Sequence, residues 1–263
     1  MSMLDNFAAL SFLVFLFAFP ALSSLVINPV LLEFSPKTVV QEITLDNQSG
    51  ETKAFEVSLK RWQQDASEDI YTKTSEIIVF PLAAKLAPHS KQKFRLIAKS
   101  LPQGTEQSCY RLFVNERPHT TTSESDSGTV TFLLNMTVPV FATGPQFKAV
   151  DSVAWSANVV KKDDSIVLAV ANNGSKFMKI RDVAAKEVPS FRSGDWQYVL
   201  PKTTRTFTMP LAKKAVPKSL SVSYAAVESF EETQKSVSVA LAPVKPASKM
   251  ADKTPETKVA TTK

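Results

Sequence analysis

The sequence predicts an all-β protein made of two immunoglobulin-like β-sandwich domains in tandem. Three observations carry that prediction. Short runs of alternating apolar and polar residues recur from residue 25 onward, the signature of strands with one buried face. Turn-forming residues punctuate the runs every dozen or so positions, the spacing of a sandwich. No segment carries a convincing amphipathic helical period. The chain has 263 residues, and removing a 23-residue leader leaves 240, enough for two domains of ordinary size.

Taken in order, the first element is that leader. "MSMLDNFAALSFLVFLFAFPALSS" is apolar from Phe7 to Leu22, broken by Ser11 and Pro20. Ala21 and Ser23 are the small residues of a secretory cleavage site, with the cut expected after Ser23. The amino-terminal region departs from the usual pattern, because it has no Lys or Arg and carries Asp5. Residues 24–143 form the first domain. "SLVINPVLLEF" opens it, and "VVQEITLDNQSG" alternates before a turn at 47–50. "TKAFEVSLKRWQQD" alternates through Phe55, Val57 and Leu59. "SEIIVFPLAAKLAPHSKQKFRLIAK" reads as two strands around the turn-like "APHSK", and "CYRLFVNERP" follows. The last strand, "TVTFLLNMTVPVFA" at 129–142, places Val130, Phe132, Leu134, Met136, Val138 and Val140 on one face. Pro139 cannot donate to a ladder and favours an edge or a bulge. The polar run "HTTTSESDSG" just upstream reads as a mobile loop.

"ATGPQFKA", residues 142–149, joins this domain to a second one over 144–241. Strands are expected around the turns at Asp163–Asp164 and Asn172–Gly174, then in "WQYVLPKTTRTFTMPL" and "LSVSYAAVESFEETQKSVSVAL". Residues 242–263 hold Ala, Pro, Lys and Thr and no aromatic residue, so ordering entropy outweighs what the segment can bury and a disordered tail is expected.

Composition narrows the function classes. The single cysteine, Cys109, excludes an intramolecular disulfide, so each core must suffice alone. With a leader, that points to the periplasm of a bacterium. The chain holds 31 Lys and Arg against 25 Asp and Glu; the charge is spread, which argues against nucleic acid. His89 and His119 are the only histidines, and no zinc spacing, phosphate loop or nucleophile motif is present. Asp65, Glu68 and Asp69 cluster without matching a calcium loop. No catalytic residue, metal, cofactor or small-molecule substrate is expected.

The ordered set "INPVLLEF", "EITLDNQSGETKAFEVSLKRWQQD", "IIVFPLAAKLAPHSKQKFRLI", "EQSCYRLFVNERP" and "VTFLLNMTVPVF" resembles the periplasmic pilus-assembly chaperones of the chaperone–usher pathway. "PVF" at 139–141 is similar to the archaic branch of that family. The resemblance implies two domains set at an angle with a cleft between them, pilin subunits and an outer-membrane usher as partners, and no enzymatic activity. It implies that the last strand of the first domain completes a pilin sandwich lacking one strand, which is a form of β-augmentation. By position, Val130, Phe132, Leu134 and Met136 match the donor residues, and 119–128 matches the family's mobile loop. Relatives anchor the subunit's terminal carboxylate on an Arg in the first strand and a Lys late in the donor strand. Those places hold Leu31 and Pro139 here. Arg95 is the preferred replacement, because its spacing after "FP" is the family's, and Arg111 is second. The alternative is a structural or adhesive surface protein of tandem sandwiches, held to the cell by its basic tail.

Overall fold

The computed structural model describes residues 25–66, 68–118, 133–160, 163–211, 216–228 and 231–242. The expected leader, the loop at 119–128, donor residues Val130 and Phe132, and nearly all of the tail lie outside them. What is described is strand and turn, arranged as two tandem sandwiches.

In the first sandwich, a four-stranded sheet runs β1 (Leu25–Asn28), β3 (Val40–Asn47), β8 (Lys91–Ala98) and β6 (Ile77–Phe80). Facing it is a sheet ordered β2 (Leu32–Phe34), β10 (Asn135–Ala142), β9 (Ser108–Arg117), β4 (Lys53–Gln64) and β5 (Asp69–Lys73), with β7 (Ala83–Leu86) also on β4. Alternation decides which side chains enter the core. On β3, Ile43 and Leu45 are buried; on β8, Phe94 and Leu96; on β9, Tyr110, Leu112 and Val114. Val138, Val140 and Ala142 of β10 join the same core. The opening strand divides at Pro29, so β1 pairs with β3 in one sheet and β2 with β10 in the other.

Two details differ from the sequence reading. The segment expected to hold two strands holds three, because the chain passes from β6 to the opposite sheet at Pro81, which has no N–H to continue a ladder. β5 was hidden in the sequence, since an outer strand that buries little needs no alternation.

The second sandwich packs β11 (Val153–Val160), β12 (Ser165–Asn172) and β16 (Thr203–Pro210) against β13 (Met178–Ala185), β14 (Arg192–Ser193), β15 (Gln197–Val199), β17 (Ser219–Glu228) and β18 (Glu231–Ala242). The end of β18 runs parallel to β11 and joins the two layers. Ile166, Leu168, Val170, Ile180, Leu220 and Val222 fill its core.

A third apolar cluster joins the sandwiches. Trp62, Cys109 and Phe141 from the first meet Leu200, Phe177 and Tyr198 from the second. Phe141 and Phe177 stack with ring centroids 3.9 Å apart. Polar contacts surround the cluster. The Gln64 amide donates to the Tyr198 carbonyl (2.9 Å) and its oxygen accepts from the Leu200 N–H (2.9 Å). Gln107 accepts from the Phe177 N–H, and Arg205 pairs with Asp69.

Candidate functional site

β10 is flanked along its whole length by β9, but only its last three residues pair with β2. The Leu134 carbonyl accepts from the Glu116 N–H at 2.9 Å. That fixes the phase of the antiparallel ladder: even residues of β10 bond to β9, and odd residues turn their backbone groups to the opposite side. Over 135–139 no described strand occupies that side. The Asn135 and Thr137 amides and carbonyls therefore lie along an open edge, where Pro139 lacks the N–H that would have needed a partner. Glu116 ties down the start of this edge, accepting from the Leu134 N–H at 3.1 Å while paired with Lys53 at 2.6 Å.

The even-numbered face changes character along the strand. Val138 and Val140 are fully inside the core, Met136 is half-buried against it, and Leu134 is 39% exposed. One apolar stripe thus begins in this protein's own core and runs out past its rim.

Below this edge, between the sandwiches, lies a cleft of about 1130 Å³. Leu31, Pro139 and Arg111 line it together with Phe177, Lys179 and Tyr198. Arg111 stands directly across from Pro139 on the neighbouring strand. Its guanidinium carbon lies 3.8 Å from the Trp62 ring centre and 5.3 Å from that of Tyr198. Its Nε is buried without a hydrogen-bond partner among the described residues. Lys179 reaches the same Tyr198 ring from the second sandwich, with Nζ 5.5 Å from its centre. Burial, followed by repulsion from Arg181, pulls the Lys179 pKa below the usual lysine value. Burial pushes the Tyr198 phenol up despite the opposing pull of Arg111, so it stays neutral.

The predicted anchor residues are not brought together. Arg95 projects from β8 in the four-stranded sheet, exposed, and pairs with Glu42 at 2.9 Å, away from the cleft lining. Arg111 lies across from Pro139 and lines the cleft together with Leu31. Glu116, Lys179 and Tyr198 were not singled out from sequence. Glu116 sits in the quoted "VNE" run, whereas nothing in the second domain's sequence marked the other two. Among the described residues, no group of three or more His, Cys, Asp or Glu side chains could hold a metal ion.

Residues 24–146 match the PapD N-terminal domain of pili and flagellar-assembly chaperones. The first sandwich therefore belongs to the N-terminal domain family of pili and flagellar-assembly chaperones, and the chain as a whole shares the two-domain fold of solved chaperones. It is similar to a chain of the CsuC–CsuE chaperone–tip subunit pre-assembly complex of archaic Csu pili from Acinetobacter baumannii. There the TM-score is 0.63 at 20% identity, covering 83% of this chain and 99% of that one. It is similar to the CupB2 chaperone of Pseudomonas aeruginosa, with TM-score 0.54 at 17% identity, covering 82% and 100%. It is also similar to a chain of the Salmonella enterica SafA pilin–SafB chaperone complex, with TM-score 0.56 at 13% identity, covering 81% and 96%. At these identities the likeness is one of fold. No curated protein matches the chain by sequence.

Proposed function

We propose that this chain is a periplasmic chaperone that binds, folds and caps pilin subunits by donor-strand complementation and delivers them to an outer-membrane usher. The observation that carries the proposal is the half-paired β10: an apolar stripe leaves its own core beside backbone groups that no described strand pairs. Such an edge normally invites aggregation. In this reading it is lent to a subunit sandwich that lacks one strand. Main-chain pairing supplies affinity, and Val130, Phe132, Leu134 and Met136 enter the subunit's groove. Each large side chain moved from water to full burial contributes roughly 1.5–3 kcal/mol before association costs. The subunit's terminal carboxylate is held in the cleft by Arg111, whose fork is suited to a carboxylate and whose Nε has no described partner. Arg95, already paired with Glu42, is the weaker candidate.

The test is co-expression with a pilin encoded beside this chain, followed by co-purification. Leu134→Asp or Phe132→Asp should lower recovery of the complex about tenfold or more, the equivalent of one buried apolar side chain. Undiminished co-purification would sink the donor-strand reading. Fractionation to the cell surface rather than the periplasm would favour a structural or adhesive role instead.

A further inference from the structure

The pairing of β10 with β9 begins at Asn135 and Asn115, but β9 runs on past that point, still paired to β4 through Glu116 and Arg117. Side chains hold this extension on both faces. Arg117 pairs with Glu56, and Glu116, on the same face as the buried Val114, pairs with Lys53 at 2.6 Å. The Lys53 and Glu116 side chains are only 15% and 9% exposed, so a largely buried ion pair closes this end of the core. In a regular antiparallel rung the two residues exchange both backbone bonds. Here the Glu116 N–H donates to the Leu134 carbonyl at 2.9 Å, but the Leu134 N–H turns to the Glu116 carboxylate at 3.1 Å. The ladder between β9 and β10 ends on that carboxylate.

We propose that Glu116 is a positioning residue for the donor strand: its carboxylate, fixed by Lys53, holds the Leu134 amide and presets the register and direction in which the strand leaves its own sheet. This rests on the donor-strand reading of β10 given above. Over 135–139 no described strand pairs the other side of β10, so its start is held only from β9. A donor that had to be ordered by its client would lose backbone freedom at that moment, which opposes association. A charged acceptor bonds an amide more strongly than a neutral carbonyl does, and Lys53 supplies the counter-charge that a desolvated carboxylate needs. With the amide held, Leu134 and Met136 are presented by this chain itself before a client arrives. Val130 and Phe132 precede the clamp in the sequence.

The experiment separates the acceptor from the ion pair, using the full chain throughout. Lys53→Met/Glu116→Gln removes both charges and keeps an oxygen for the Leu134 N–H. Lys53→Met/Glu116→Leu removes both charges and the acceptor. Neutral side chains of similar size in place of a largely buried pair should leave the melting temperature near that of the unmodified chain. Hydrogen exchange at the Leu134 amide is followed by NMR, and capture of the pilin encoded beside this chain is timed as the pilin is diluted from denaturant. The Leu variant should exchange the amide about tenfold faster and capture the pilin roughly fivefold more slowly, with the Gln variant within about twofold of the unmodified chain, as expected for one lost hydrogen bond. If capture by the Leu variant is as fast as by the unmodified chain while Leu134→Asp blocks it, Glu116 has no positioning role and the donor-strand reading stands. If Leu134→Asp captures the pilin normally, the donor-strand reading fails and takes the positioning role with it. An unchanged Leu134 exchange rate in the Leu variant overturns the clamp directly. Should the Leu variant not fold, Glu116→Asp, which keeps the charge but shortens its reach, carries the same comparison, and unmodified exchange and capture there overturn the role.

Discussion

Arg111 illustrates how a side chain takes its role from its neighbours. Tyr110 and Leu112 on either side of it in sequence point into the core, so alternation sends Arg111 to the outer face, over Trp62 and toward the cleft. Replacing it with Ala should lower recovery of a pilin complex about tenfold, with Lys restoring part of the loss because the charge returns without the fork. Co-purification yields measure this. Glu76 shows a balance of opposing effects. Burial raises its pKa, but hydrogen bonds from the Tyr110 hydroxyl (2.8 Å) and from Arg61 (2.6 Å) outweigh it and hold the carboxyl below its ordinary value of 4.5. A native pKa below the unfolded one gives stability that is complete above the unfolded value and drains away as pH falls through the native value. Glu76→Gln should therefore flatten the acid limb of stability below about pH 4.5, and chemical denaturation across pH 2–7 would measure it.

At the level of elements, the two sandwiches share a buried asparagine turn. Asn47 ends β3, and its amide donates to the carbonyls of Glu51, Leu86 and Ala87 while its oxygen accepts from the Ser49 N–H. Asn172 ends β12 and does the same for the Lys176 and Val199 carbonyls and the Gly174 N–H. Opposite each turn lies a Pro followed by a left-handed residue: His89 (φ 55°) after Pro88, and Lys202 (φ 60°) after Pro201. The correspondence is invisible in a sequence scan, since one turn reads "DNQSG" and the other "ANNGS". Either asparagine changed to Ala leaves several carbonyls without a donor, and a destabilisation of about 2–4 kcal/mol is expected in urea melts. β10 is the other instructive element. Its period-two pattern runs unbroken, yet the stripe is buried at Val138 and open at Leu134. Alternation fixes which residues share a face. What covers that face depends on the facing sheet, which buries Val138 and leaves Leu134 39% exposed.

For the whole molecule, the interdomain contact is the decisive feature. The β4–β5 hairpin reaches across, with the Ala66 carbonyl accepting from the Thr206 N–H at 3.0 Å, the Gln64 amide bridging to β15, and Asp69 paired with Arg205. Arg205 is largely buried, so removing Asp69 takes the carboxylate from a desolvated cation and leaves it the neutral Tyr198 carbonyl at 3.3 Å among its contacts. Asp69→Ala should destabilise the chain by about 2–4 kcal/mol and loosen the domain angle, which small-angle scattering and calorimetry would detect. If the interface instead contributes nothing, the two sandwiches should melt as in the unmodified chain.

Local sequence was enough to specify the all-β class and most strands, because strand alternation and turn residues are local properties written directly in residue order. It also marked the apolar stripe at 129–142, and through ordered short motifs it carried the family. Several things were settled only by long-range packing. β5 and the sheet switch at Pro81 depend on what lies alongside. Which of Arg95 and Arg111 lines the cleft turns on which sheet each strand enters, and both are simply arginines on strands in the sequence. The meeting of Arg111 with the Tyr198 ring joins residues from separate domains, and a side chain can find such a neighbour only after the chain has brought distant walls together.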